Sequence, residues 1–300
     1  MSSKIKILPI VLSFFGLWIA TKFSSEFEVV LGFILILSFG ILHGSNDILL
    51  IDSLSNSKAA YPFVKILSIY LLTVLTAVVV FYFIPILALV LFIIFSAFHF
   101  GEQHWENRAL QASKWINNLF YLVYGLLILF LLFIINKTEV IEVVKSITEY
   151  NINERLITYS TITVGSAFIL LSLYLIFKSE TYKKDILKEF FYILVFFIIF
   201  KSSTLIWGFT IYFIFWHSIP SLFEQITFIY GDFSKKNILL YFKKASPYWV
   251  ISLIGIAGVY YIFKDQKLFY AVFFSFIAAV TFPHSIVINK MFAHKKTQPN

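Results

Sequence analysis

Apolar residues run almost unbroken along this chain, and single charges or short polar stretches cut the run into pieces. Ten pieces stand out: 7–21, 29–51, 63–84, 86–105, 115–135, 157–177, 187–200, 203–222, 247–263 and 268–291. A helix rises ~1.5 Å per residue, so about 20 residues cross the ~30 Å hydrocarbon core of a bilayer. The pattern therefore predicts an all-α, polytopic integral membrane bundle of about 8 to 10 transmembrane helices. Pro85 divides the third and fourth pieces with almost no loop, and Lys201, Ser202 and Ser203 mark a similar tight turn between the seventh and eighth. The more polar stretch 136–156 carries Ile141, Val144 and Ile147 at helical spacing, which predicts a short interfacial loop or helix.

Composition agrees with this pattern. Of 300 residues, 60% are hydrophobic and only 13% charged, too little polar surface to cover a water-soluble globule. No repeat or long linker divides the chain, so residues 1–300 are expected to form a single transmembrane domain ending in a basic cytoplasmic tail, 292–300. The net charge of +8 does not point to nucleic acid, because the basic residues sit singly or in pairs between apolar runs, where they face lipid head groups. Their distribution sets an expected orientation. With the N-terminus cytoplasmic, 17 of the 24 Lys and Arg fall on the cytoplasmic side and 7 on the other. The expected location is the cell inner (plasma) membrane, crossed many times, with both termini inside.

Candidate chemistry lies in the small polar remainder. There is no cysteine, which removes disulfides, thiolate metal sites and thiolate catalysis. Four of the six histidines, His43, His99, His217 and His284, lie inside apolar spans, where an ionisable group is costly and faces the bundle interior. An interhelical hydrogen bond is the ordinary role for any one of them. Their shared depth argues for more. In the expected topology all four spans run toward the cytoplasm, and the next interfacial charges, Asp52, Arg108, Glu224 and Lys290, follow after 9, 9, 7 and 6 residues. At ~1.5 Å per residue that sets all four roughly 9–14 Å below the helix ends. Four imidazoles at one depth suit a metal centre of the Fe, Zn, Cu or Ni type. Asp47 and Glu102, one turn beyond His43 and His99, are placed to hold a ring N–H. His104 is expected near the interface as a supporting residue, and His294 in the solvated tail. Phosphate-binding glycine loops, a GxSxG elbow and HExxH are absent, and six scattered histidines are too few for the clustered boxes of membrane di-iron desaturases.

At these residues the sequence resembles a known family. His43-Gly44-Ser45-Asn46-Asp47, Phe98-His99-Phe100-Gly101, Trp216-His217-Ser218 and Phe282-Pro283-His284 resemble the HGxxD, HFG, HS and PH motifs of the Brp/Blh family of bacterial β-carotene 15,15′-dioxygenases. The likeness extends from about residue 40 to 290. It implies an Fe(2+)-dependent membrane enzyme that cleaves β-carotene with O2 into two all-trans-retinal, the product passing to a microbial rhodopsin. It also implies His43, His99 and His217 as iron ligands. Many members carry a second histidine one turn after the HS motif, where this chain has Ser221. His284 completes the set, the site has three histidines, or the chain is a divergent paralogue. Phe98, Phe100, Trp216 and Phe282 are candidate walls of a substrate tunnel. The alternative is a non-catalytic carotenoid- or retinal-handling protein.

Overall fold

The helices begin where the sequence supplies a cap. In a computed structural model, which describes residues 3–54, 62–105, 108, 110–263 and 266–297, the hydroxyls or carboxamides of Ser24, Ser113, Asn153, Ser179 and Thr204 accept N–H bonds from the first turns they precede. The helical rods are α1 (Ser3–Lys22), α2 (Ser25–Leu54), α3 (Pro62–Phe83), α4 (Pro85–Trp105), α5 (Lys114–Ile135), α6 (Lys137–Thr148), α7 (Glu154–Lys178), α8 (Glu180–Lys201), α9 (Leu205–Tyr230), α10 (Lys235–Phe263) and α11 (Gln266–Thr297). Ten of them stand on the ten apolar runs. The eleventh, α6, occupies the more polar 136–156 stretch. Pro85 opens α4 with a single residue, Ile84, separating it from the end of α3, and α11 continues through most of the basic tail. No strand occurs among the described residues. Among the described residues, five rods, α2, α4, α5, α7 and α9, are long and apolar enough to cross a membrane. The fold is an all-α polytopic membrane bundle.

The chain divides into two compact units. One comprises residues 1–36, 93–145 and 149–217, and the other 37–92, 146–148 and 218–300. In the first, α5, α7 and α8 pack together around the aromatic side chains of Trp105, Phe120, Tyr124, Phe168 and Tyr182. α4 and α5 meet at small residues. A Cβ placed on Gly101 would stand 1.8 Å from the Tyr121 carbonyl oxygen, and one on Gly125 would stand 1.8 Å from that of Ala97. Each glycine thus seats the backbone of the opposite helix, a close approach typical of helix pairs in membranes. In the second unit α11 lies against α3 and the end of α2, burying Leu50, Ile51, Val287, Ile288, Met291 and Phe292 together.

Two of the rods are not regular. α2 widens into a π turn at Ile36–Gly40, and α9 does so at Tyr212–Ser218. In α9 the cause is readable: Pro220 has no N–H to give the Trp216 carbonyl, and its ring crowds that position. In α2 the widened turn leaves the Leu37 carbonyl accessible to the Trp249 indole N–H, which donates to it at 2.9 Å. Such π turns commonly sit beside functional residues. Here His217 lies inside one and His43 three residues after the other.

Candidate metal centre

Each unit contributes one pair of buried histidines. In the first, His99 of α4 and His217 of α9 meet edge to face with ring centroids 4.7 Å apart. Their surroundings are aromatic. Phe100 stands 4.6 Å from the His217 ring, and Phe213, one turn earlier on α9, stacks on it at 5.5 Å. Tyr212 closes on Phe100 in turn. The backbone of His217 is tied as well, since the Gln103 side-chain N–H donates to its carbonyl at 3.1 Å. Gly101 lets α4 approach α5 closely at this level, which explains the glycine of the Phe98-His99-Phe100-Gly101 motif as a packing requirement.

The start of α9 is fixed from its other end. The Thr204 N–H donates to Glu28 Oε2 at 2.8 Å and the Leu205 N–H to Glu139 Oε2 at 3.1 Å, so two carboxylates take up the exposed donors of its first turn. Burial pushes the Glu139 carboxyl above its ordinary range, partly offset by that backbone bond. The indoles of Trp207 and Trp216 then donate to the Gly16 carbonyl and the Ser13 hydroxyl of α1.

In the second unit His43 of α2 and His284 of α11 are again edge to face, 4.3 Å between centroids. Their surroundings are polar. His284 Nδ1 and Asp47 Oδ1 lie 2.6 Å apart, with both side chains buried. The Gln225 carboxamide nitrogen stands 3.3 Å from His43 Nδ1 and donates to Ser221 Oγ at 3.1 Å, while the Tyr241 hydroxyl donates to Gln225 Oε1 at 2.5 Å. Asn46 ties the helix turn that holds His43 by donating to the Leu42 carbonyl at 2.7 Å. A Cβ on Gly44 would approach Val280 of α11 at 3.2 Å, so the small residue after His43 keeps these two helices close.

All four histidines are at most 3% exposed. Among the described residues they are the set of His and acidic side chains that could hold a metal ion. The donor chemistry fits one. Asp47 accepts the Nδ1 proton of His284, which leaves Nε2 with its lone pair, the arrangement that strengthens an imidazole as a ligand. Ser221, at the position where a second histidine of the HS motif would stand, is instead part of the Gln225 hydrogen-bond group. His284 is the fourth histidine of the set.

A family model described as beta-carotene 15,15′-dioxygenase matches residues 34–292. The chain belongs to that family. Neither curated proteins nor solved structures give a match. The matched region holds all four histidines, together with Asp47, Gln103, Ser221, Gln225 and Tyr241.

Other expected residues fall in different places. His104 of α4 pairs with Glu189 of α8 at 2.8 Å, stacks on Tyr124 of α5 and lies 3.3 Å from Arg108, just beyond α4, in a partly buried polar group of its own. Burial disfavours the Arg108 charge, yet Glu189, 2.5 Å away, holds its pKa above the ordinary value. Trp216 directs its indole to Ser13, Tyr192 and Phe196. Glu102 is buried in the turn after His99, Phe98 and Phe282 are half-buried, and Phe100 lies directly on His217. Gln103, Gln225 and Tyr241 were not singled out from sequence. The available signal was a neutral amide one helical turn beyond His99 or Ser221 inside an apolar span, since such a group needs a partner in lipid.

Proposed function

We propose that His43, His99, His217 and His284 together bind one Fe(2+) and that the chain cleaves β-carotene at its 15,15′ double bond, one C40 hydrocarbon and one O2 giving two molecules of retinal. The observation that carries this reading is a set of four buried histidines, able to hold a metal ion, within a β-carotene 15,15′-dioxygenase family match over residues 34–292. Bound iron supplies the activation of O2, chemistry for which neutral imidazole ligands with open positions are suited. The chain's own work is positional. Asp47 and Gln225 orient His284 and His43, while Phe100 and Phe213 wedge the His217 ring in place.

Few carboxylates are needed, because both product oxygens come from O2 and no acid or base has to supply a proton. Phe98, Phe100 and Phe282 serve as the apolar walls that centre the polyene. Carotene enters sideways from the lipid, which spares a long hydrocarbon a passage through water. The same reading places the enzyme in the inner membrane with both termini cytoplasmic, and makes a microbial rhodopsin the recipient of retinal.

The test is expression in a β-carotene-producing bacterium. Loss of carotene colour with formation of retinal is expected, with His43→Ala and His217→Ala inactive and close to one iron per purified wild-type chain. A well-expressed wild type that leaves the colour unchanged would overturn the enzyme reading. Carotenoid co-purifying uncleaved would then favour a carotenoid-handling protein.

A further inference from the structure

The histidine pair of the second unit is held by two unlike partners. Asp47, on His284, can only accept when ionised. Gln225, on His43, carries both an acceptor and donors on one planar group; Tyr241 Oη, Ser221 Oγ and His43 Nδ1 lie within 3.3 Å of it, and the His43 carbonyl oxygen lies 3.5 Å from its nitrogen. The hydroxyls and the imidazole nitrogen can either donate or accept, whereas the carbonyl only accepts. The carboxamide therefore has two positions that bond both hydroxyls and the imidazole nitrogen, related by a half turn about its terminal bond, the second giving up the long bond to the His43 carbonyl. In one, Nε2–H donates to His43 Nδ1 and Ser221 Oγ, and Tyr241 donates to Oε1, which puts the ring proton of neutral His43 on Nε2. In the other, Oε1 accepts from Nδ1–H and from the Ser221 hydroxyl, and Nε2–H donates to the Tyr241 oxygen. Only the second leaves His43 Nε2 with a lone pair for a cation.

We propose that Gln225, held by Tyr241 and Ser221, is a positioning residue that selects the tautomer of His43 by turning its carboxamide, so that metal loading and the turn occur together. The proposal rests on the metal reading above. Gln225, Ser221 and Tyr241 are all at most 1% exposed, which shields the selector from water that would satisfy either orientation equally. Ser221 and Gln225 stand four residues apart on α9, so one helix face carries both the pivot and the amide. This also gives Ser221 a use that a histidine at that position would not fill in the same way.

The experiment is titration of the full-length chain in detergent with Co(2+), reading affinity and the visible absorption bands of the bound ion. Gln225→Glu supplies acceptors to all three neighbours and fixes the Nδ1–H form of His43, so affinity equal to or above wild type is expected. Gln225→Met removes the polar group at similar volume, and a 10- to 100-fold loss is expected, as for other partners of metal-bound histidines. Tyr241→Phe falls between them. A purely structural role would make Glu as damaging as Met, and that result overturns the proposal, as does a Met variant with wild-type affinity and bands. If Gln225→Met does not elute as folded protein, the comparison of Gln225→Glu and Tyr241→Phe with wild type decides in the same way. Wild type that takes up no Co(2+) sinks the metal reading itself, and the selector falls with it.

Discussion

The two histidine pairs are alike in geometry and opposite in support. His43 and His284 are held through hydrogen bonds to Asp47 and Gln225, whereas His99 and His217 are held among the rings of Phe100, Phe213 and Tyr212 on a close helix crossing. The difference teaches how a membrane protein can fix an imidazole. A polar partner sets the protonation state and electron density of the ring, while ring packing sets only its position. Errors in the first region should therefore alter metal chemistry at constant fold, and errors in the second should alter the fold first.

The largest expected effect is on the packed side. Gly101→Leu or Gly125→Leu puts side-chain atoms where the opposite backbone stands, and each should cost ~3 kcal/mol or more, read as loss of monodisperse protein or a collapse of melting temperature in detergent. A folded Gly101→Leu protein with wild-type stability would break the comparison. Next come the ligands themselves. If the four histidines serve one ion, His43→Ala and His217→Ala should each abolish metal uptake, measured by elemental analysis of the purified chain. Retention of half the metal by either variant would mean two separate pairs.

A smaller pair of effects separates the two kinds of support. Asp47→Asn should lower metal affinity by about 10- to 100-fold with little change in melting. Phe100→Leu should do the reverse, costing about 1–2 kcal/mol of stability while affinity stays within about threefold. Equal responses from both variants would erase the distinction. The smallest effect concerns Glu139. Its folded pKa is raised above 4.5, chiefly by burial, so the folded state holds this proton more tightly than the unfolded chain does. Stability from this group is present below pH 4.5 and is lost as pH rises through the raised value. Glu139→Gln should therefore flatten the pH dependence of melting in that window, and an unchanged slope would show that the carboxyl is not the source.

Much of this was legible in the residues. Long apolar runs bounded by charges locate the helices, and Ser24, Ser113, Asn153, Ser179 and Thr204 mark starts because their side chains replace missing acceptors. The four histidines stand out because lipid makes each one expensive. Asp47 follows from spacing along one helix, and in the structure it pairs with His284 of α11. What could not be read depends on distance in space. Gln225 and Tyr241 are ordinary neutral residues until folding brings them to His43, and the packing role of Gly101 and Gly125 emerges only where two helices cross at them. His104, set near the others by sequence, is drawn by Glu189 and Arg108 into a separate ionic group.

The π turn that contains His217 acts as a dislocation in the helical lattice. Beyond it, every side chain is about 100° out of phase with the turns that precede it, the angle one residue subtends at 3.6 per turn. A helical wheel drawn straight through α9 therefore misassigns one half or the other. Removing one residue within Tyr212–Ser218 would erase that phase slip, and grafting this segment onto a regular helix would not reproduce the site.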